Sequence, residues 1–328
     1  ESWANNIDIQ SRISLINQRY NIKQKKLGNS DLKLNYYPDD SYTELKKEIN
    51  NYVGYEPKNI TVGNGSSELL DLCVKTFLDK NEMILSLDPT FSMYSIYAQV
   101  FSAKYVGAKT EDDFKLNVDS IIEDIQKNSP KLIILCNPNN PTGSVLTKEE
   151  VRKIVKSTDA LIALDEAYME FGDESLIDEV MNYDNLLIVK TLSKAFSLAG
   201  IRMGYIVANE DIITSIEKVR APYNLNSLST YIATEALRQK ERMFDYVKTI
   251  KEEREKIYKA LVDLGVKAYK SGANFVFFKS DIDNLQKKLV DKDVLIRKFS
   301  GKLDGYYRVS VGTKGQNEKF LEAFKEVM

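Results

Sequence analysis

Five times in this chain an apolar run of strand length stops at a polar turn. Ile60-Thr61-Val62 runs into Gly63-Asn64-Gly65-Ser66-Ser67-Glu68, and Met83 to Leu87 into Asp88-Pro89-Thr90-Phe91. Lys131 to Cys136 delivers Asn137-Pro138-Asn139-Asn140-Pro141-Thr142-Gly143, Leu161 to Leu164 delivers Asp165-Glu166-Ala167-Tyr168, and Leu186 to Val189 delivers Thr191-Leu192-Ser193-Lys194. Runs of this length read as buried strands, and two Asn-Pro pairs close together cannot continue a sheet. Open parallel sheets place ligands at the ends of their strands, so the turns are where chemistry is sought.

Each turn carries groups that suit one kind of ligand. Lys194 opens a loop with the hydroxyls of Thr191 and Ser193 before it and Arg202 eight residues on. That setting suits a lysine that must be neutral and nucleophilic beside a dianion, such as one forming a Schiff base with the aldehyde of pyridoxal phosphate while Thr191, Ser193 and Arg202 hold the phosphate. Ser66 and Ser67 follow glycines at a helix start, where the first N–H groups have no intrahelical acceptor and can meet an anion. Asp165 ends a buried strand, where a carboxylate is costly unless something cationic meets it; a pyridinium N–H would serve. Taken singly, each has a plainer reading: a solvated lysine, a glycine-entered helix, a structural acid.

Composition narrows the alternatives. Lys+Arg 46 against Asp+Glu 48 gives a net charge of -2, with no electrostatic case for nucleic acid or an anionic membrane, and no apolar run approaches membrane-spanning length. There is no histidine, which excludes Ser-His-Asp and Cys-His nucleophiles and His-ligated metals within this chain. Cys73 and Cys136 have no metal-type spacing and read as buried thiols of a reducing cytoplasm; no metal site is expected. No signal peptide is read. The chain opens at Glu1 without a methionine, which leaves open a trimmed start or an upstream domain.

The turns, in this order, resemble those of the fold-type I pyridoxal-phosphate enzymes, and in particular the histidinol-phosphate aminotransferase branch of class I/II aminotransferases. The resemblance covers the chain from about Leu34 onward. It implies an α/β fold with a large domain built on a mostly parallel seven-stranded sheet, a small α+β domain, and a homodimer with sites at the interface. The corresponding boundaries are 1–37 for an N-terminal segment packing with the small domain or the dimer partner, 38–240 for the large domain and 241–328 for the small one. Residue by residue, it implies that Lys194, Asp165 and Tyr168 are catalytic: Lys194 as the cofactor's amine and proton carrier, Asp165 on the ring nitrogen, and Tyr168 with Asn140 on the phenolic oxygen. Phe91, directly after the Pro-Thr pair, would stack on the ring; Ser66, Ser67, Thr191, Ser193 and Arg202 would take the phosphate. Tyr37, in Asn35-Tyr36-Tyr37-Pro38-Asp39, would reach the neighbouring subunit's cofactor phosphate.

Arg308 lies inside an apolar strand, so an anion should meet it, whether an internal carboxylate or a ligand. The resemblance assigns Arg308, within Arg308-Val309-Ser310-Val311-Gly312, and Arg297 on the preceding strand to the substrate's anionic group; Asn274 is placed on the substrate side with them. The activity implied is transfer of an amino group between a phosphorylated or related amine, histidinol phosphate first, and a 2-oxo acid such as 2-oxoglutarate, in the cytoplasm. One departure is visible: relatives carry an Asn-x-Asn-Pro segment shortly before the Tyr-Pro turn, and Lys23 to Lys33 contains none. A decarboxylase of the threonine-phosphate type, a transaminase of a phosphonate or aromatic amino acid, and a non-catalytic cofactor-binding regulator stay open. For the regulator, the residues before Leu34 are too short to be a DNA-binding module.

Further expectations are local. Ile9, Ile13 and Ile16 hint at a short helix, Thr147 and Glu150 stand in capping-box spacing, and a turn at Ala221 to Ser227 begins helical patterning that runs to Leu264, with Gly265 ending it. Val294 to Arg297 reads as a strand.

Overall fold

Strands buried on both faces need helices above and below them, and this chain alternates the two accordingly. The structure, a computed structural model, describes residues 36–328; the expected helix near Ile9, the Lys23 to Lys33 stretch and nearly all of the N-terminal segment lie outside them. The first sheet has seven strands in the order β1 (Ile60–Gly63), β7 (Gly204–Ala208), β6 (Leu186–Thr191), β5 (Leu161–Asp165), β4 (Leu132–Cys136), β2 (Met83–Asp88), β3 (Lys104–Lys109). Neighbours from β3 to β6 pair in parallel, and β7 alone runs against the others, pairing antiparallel with β6 and β1.

Side chains alternate across this sheet with period two. Ile133, Leu135, Ile162, Leu164 and Ile188 enter one core; Leu132, Ile134, Ala163, Leu187 and Val189 enter the other. The second core is closed by Leu69, Leu70, Cys73 and Val74 of the helix Ser66–Phe77 and by Tyr94 and Tyr97 of the helix Met93–Val100. Both cysteines are free and buried, and burial pushes each thiol up to about 12.

A second, four-stranded antiparallel sheet follows, in the order β10 (Arg297–Lys298), β11 (Tyr306–Ser310), β9 (Phe275–Lys279), β8 (Lys267–Tyr269). The helical stretch that leads to it is broken, contrary to the sequence expectation: Ser227–Arg238 and Lys240–Asp263 are separate helices. Gln239 leaves helical geometry at φ -115° and accepts from the Arg242 N–H at 3.1 Å, which starts the second helix. Gly265, at φ 79°, closes that second helix as expected, its N–H reaching the Val262 carbonyl. Of the expected strand Val294 to Arg297 only Arg297 pairs with β11, and the pairing continues to Lys298. The capping box forms, Thr147 accepting from the Glu150 N–H and Glu150 from the Thr147 N–H.

The chain leaves β2 toward the edge strand β3 but leaves β4 in the opposite direction, through β5 and β6. The reversal between β2 and β4 opens a crevice beyond the strand ends. All five polar turns come out at that edge, and β7, running the other way, brings Arg202 and Gly204 to it at its start. No helix among the described residues is long and apolar enough to cross a membrane.

Candidate active site

The crevice holds a cavity lined by Ser66, Ser67, Phe91, Asn140, Asp165, Tyr168, Thr191, Ser193, Lys194 and Arg202 from the first sheet's turns and by Arg308 from the second sheet, with Cys136 and Ala167 completing the wall. Ten of the eleven residues expected to hold the cofactor thus face one space. Lys194 and Asp165 are among them.

The anion-holding end is built by backbone as much as by side chains. The twelve-residue helix Ser66–Phe77 starts after Gly65 with no side chain capping it among the described residues, so its first N–H groups point into the cavity uncommitted. Gly65 has φ 85°, and a Cβ there would stand 2.5 Å from Arg202 Nη2; glycine is what lets the guanidinium close on the helix start. Across from it the Thr191 hydroxyl donates to the Met203 carbonyl at 3.1 Å and accepts the Ser193 N–H at 3.1 Å, fixing the β6 turn.

The opposite end is acidic. Asp165 is buried, and burial pushes its carboxyl toward the protonated form; the Tyr94 hydroxyl, donating at 2.7 Å, and the Ala167 N–H, donating at 3.1 Å, push it back toward the anion. Lys194 lies over the Tyr168 ring, 5.2 Å from its centroid. Burial, then the charge of Arg308, lowers its pKa, and the charge of Arg202 adds to this, so the neutral amine is more accessible than in an exposed lysine. Tyr168 packs edge-on against Phe275 of β9, and Phe91 edge-on against Tyr94.

Arg308 reaches the cavity from β11. Its Nη1 donates to Asn140 Oδ1 at 2.5 Å and its guanidinium lies 4.8 Å from the Phe275 centroid, while the buried Nε has no hydrogen-bond partner among the described residues. Burial lowers its pKa from the usual arginine range. A desolvated guanidinium with an unspent donor is costly unless an anion completes it. Among the described residues no carboxylate pairs with it, so of the two partners the sequence leaves open, the internal one is absent there.

Three expected site residues are not in this space. Arg297 is exposed and stands opposite Arg308 in the β10–β11 pairing, close enough for its charge to act on Arg308. Asn274 precedes β9, where its carbonyl accepts the Val311 N–H. Tyr37 is 80% exposed and stacks on Tyr223, with ring centroids 4.6 Å apart, away from the cavity of its own chain.

Sequence reasoning missed Tyr94, whose only signal was that a buried acid wants a second donor. Two further acids, Glu166 and Glu170, lie near the site. Their side chains are largely buried: Lys190, on β6 with its side chain on the face away from Val189, is 3.1 Å from a carboxylate oxygen of each, and Ser175 donates to Glu166.

The family model for aminotransferase class I and II matches residues 5–324. A protein named histidinol-phosphate aminotransferase from Thermoanaerobacter sp. (strain X514) is 40% identical over 299 residues, 90% of this chain and 85% of that one. Among solved structures, histidinol-phosphate aminotransferase from Clostridium acetobutylicum superposes with TM-score 0.85 at 29% identity, covering 94% of this chain and 95% of that one. The enzyme of that name from Sinorhizobium meliloti, solved in complex with pyridoxal-5'-phosphate, has TM-score 0.85 at 22% identity, covering 95% of this chain and 86% of that one, a likeness of fold.

Proposed function

Because the chain belongs to the aminotransferase class I and II family, we propose that it moves the amino group of histidinol phosphate to a 2-oxo acid such as 2-oxoglutarate, with pyridoxal phosphate in the Lys194 cavity. The observation that carries this is the pairing, in one cavity, of an uncapped helix start beside Arg202 with a buried acid at the other end and a desolvated lysine between them. The residues fit the cofactor end for end: a dianion needs the first, a ring nitrogen that carries a proton needs the second, and an aldehyde needs the third.

Bound there, pyridoxal phosphate supplies an aldehyde that condenses with amines and a ring that draws electrons from the bond to be broken. The chain supplies the rest. The N–H groups of Ser66 and Ser67, the Ser193 hydroxyl, the Thr191 hydroxyl once turned from the Met203 carbonyl, and Arg202 hold the phosphate. Asp165, whose anionic form the Tyr94 hydroxyl and the Ala167 N–H favour against burial, holds a proton on the ring nitrogen. Asn140 and Tyr168 donate toward the phenolic oxygen, and Phe91 covers a ring face. Lys194 Nζ takes the proton from the amine-bearing carbon of the substrate and returns it on the far side of the transferred nitrogen, at the carbon that was the cofactor's aldehyde. Arg308 meets the substrate's phosphate or carboxylate with its unspent Nε–H, and Arg297 extends the same positive field.

A homodimer in which Tyr37 contacts the partner's cofactor phosphate is part of this reading; Tyr37 is exposed and stacked on Tyr223, outside the cavity of its own chain.

A single-turnover reaction without oxo acid tests the substrate. Mixing the loaded protein with histidinol phosphate should convert the aldehyde absorbance to that of the aminated cofactor with one equivalent of the ketone phosphate formed. Conversion only with another amine, or carbon dioxide released from phosphothreonine, would contradict the assignment.

A further inference from the structure

One of the places where the two sheets meet is strained. Between β3 and the helix Val118–Asn128, Asp113 and Phe114 lie consecutively in left-handed backbone, at φ 65° and 59°. A β-carbon disfavours that region, and a bulky aromatic in it is uncommon, so surrounding contacts must hold it there. They do. The Phe114 ring enters the second sheet's aromatic face, with centroids 5.1 Å from Tyr269, 5.3 Å from Phe277 and 5.3 Å from Tyr306, each edge-on. Its carbonyl accepts the Ser144 hydroxyl at 2.6 Å, at the end of the turn that carries Asn140.

That face also carries Arg308. Phe277 and Arg308 are directly paired across β9 and β11, so their side chains leave the sheet on the same side, and Phe275 two residues back lies under the guanidinium. A short path therefore runs from Phe114 through Phe277 to Arg308, and a second from Phe114 through Ser144 to Asn140, which accepts from Arg308. Other ties nearby are the Gly272 N–H, which donates to the Gly143 carbonyl at 2.8 Å, the edge-on contact of Tyr168 with Phe275, and two ion pairs, Lys267 with Asp113 and Lys302 with Asp88 at 2.7 Å; the lysines of the ion pairs are exposed and their charges screened, so these two fix position weakly.

We propose that Phe114 is a positioning residue for Arg308, a hook from the first sheet that sets where the second sheet holds this guanidinium against the substrate's anionic group. The inference rests on the reading that Arg308 meets that anion. Arg308 is the only cationic group that the second sheet places in the cavity wall among the described residues, and it crosses the whole gap between the sheets to reach Asn140. Small displacements of the second sheet are thus transmitted to it directly.

The test is a cycle on the holoenzyme with F114A, R308A and both, with F114Y and F114L beside them. The readouts are KM and kcat for the amine and the 2-oxo acid, and the dissociation constant of inorganic phosphate by calorimetry. F114A is expected to raise both KM values and weaken phosphate about ten-fold with kcat within two-fold, because an anion grip made equally in ground and transition states shows in KM. F114Y should stay within two-fold of wild type. In the R308A background F114A should add less than two-fold. F114L, which keeps apolar bulk in the hook, should show the same KM pattern at about three-fold and carries the test if F114A does not fold. Equal effects of F114A with and without Arg308, or a fall in kcat with KM and phosphate binding unchanged, would overturn the inference. If R308A itself leaves KM and phosphate binding unchanged, the reading of Arg308 fails, whatever Phe114 does.

Discussion

Tyr94 donates its hydroxyl to Asp165 at 2.7 Å, and both groups are buried. Burial, with a smaller effect from the charge of Glu166, raises the pKa of this carboxyl; the phenol, the Ala167 N–H and the charge of Lys194 act to lower it. In Tyr94→Phe one of those two donors is gone, and the acid is protonated more of the time when it should be anionic against the ring nitrogen. A hydrogen bond to a charged group contributes about 1.5–3 kcal/mol, so apoprotein affinity for pyridoxal phosphate should weaken roughly 10- to 100-fold in an absorbance titration. Linkage gives the sign for the apoprotein. A carboxyl whose folded pKa is raised above 3.8 makes a contribution that is present at acid pH and lost as pH rises through the folded value, and the variant should lose it at higher pH than wild type. Unchanged cofactor affinity would count against the role given to Tyr94.

Lys194 owes its lowered pKa first to burial and next to Arg308. Arg308→Met removes the charge but keeps much of the bulk, so the neutral amine should appear only at higher pH. Stopped-flow capture of pyridoxal phosphate by apoprotein should have its pH profile displaced to the alkaline side. A displacement to the acid side, or none, would show that Arg308 does not act on this amine.

Gly65→Ala would set a Cβ against Arg202 and force φ 85° on a residue that resists it, at roughly 1–2 kcal/mol. The guanidinium must then withdraw from the helix start. Affinity for pyridoxal phosphate should fall about ten-fold or more, while affinity for pyridoxal, which lacks the phosphate, changes much less. Equal losses for the two would remove the phosphate from this end of the cavity.

Lys190 separates two buried carboxylates, Glu166 and Glu170, and their charges raise its pKa well above the ordinary value against the opposing effect of burial. Lys190→Met leaves both acids without their cation and should destabilise the fold by about 3–5 kcal/mol in denaturant titration. A loss below about 1 kcal/mol would mean that the acids are neutral or otherwise satisfied. Because the folded pKa of Lys190 is raised, its contribution should persist across neutral pH and disappear only under strongly alkaline conditions.

What could be read from the sequence was whatever a strand end fixes locally. Asp165, Asn140, Thr191 and Lys194 each follow an apolar run by a residue or a few, so placing the run places the side chain, and one sheet edge gathers them. Arg308 was readable for another reason, a charge in an apolar strand. Tyr94 was not, because on a helix with Tyr97 and Ala98 inward it looks like any core aromatic, and its partner is 71 residues away. Phe114 was hidden likewise, since its conformation and its aromatic partners on the second sheet depend on how two sheets dock. The break at Gln239 left no glycine or proline to announce it.

The most direct measurement is borohydride reduction of the purified, cofactor-loaded protein followed by peptide mass analysis. The account expects the visible chromophore to bleach and a single peptide to carry the reduced pyridoxyl phosphate on Lys194. A protein that takes up no chromophore, or a label on another lysine such as Lys190, would contradict it.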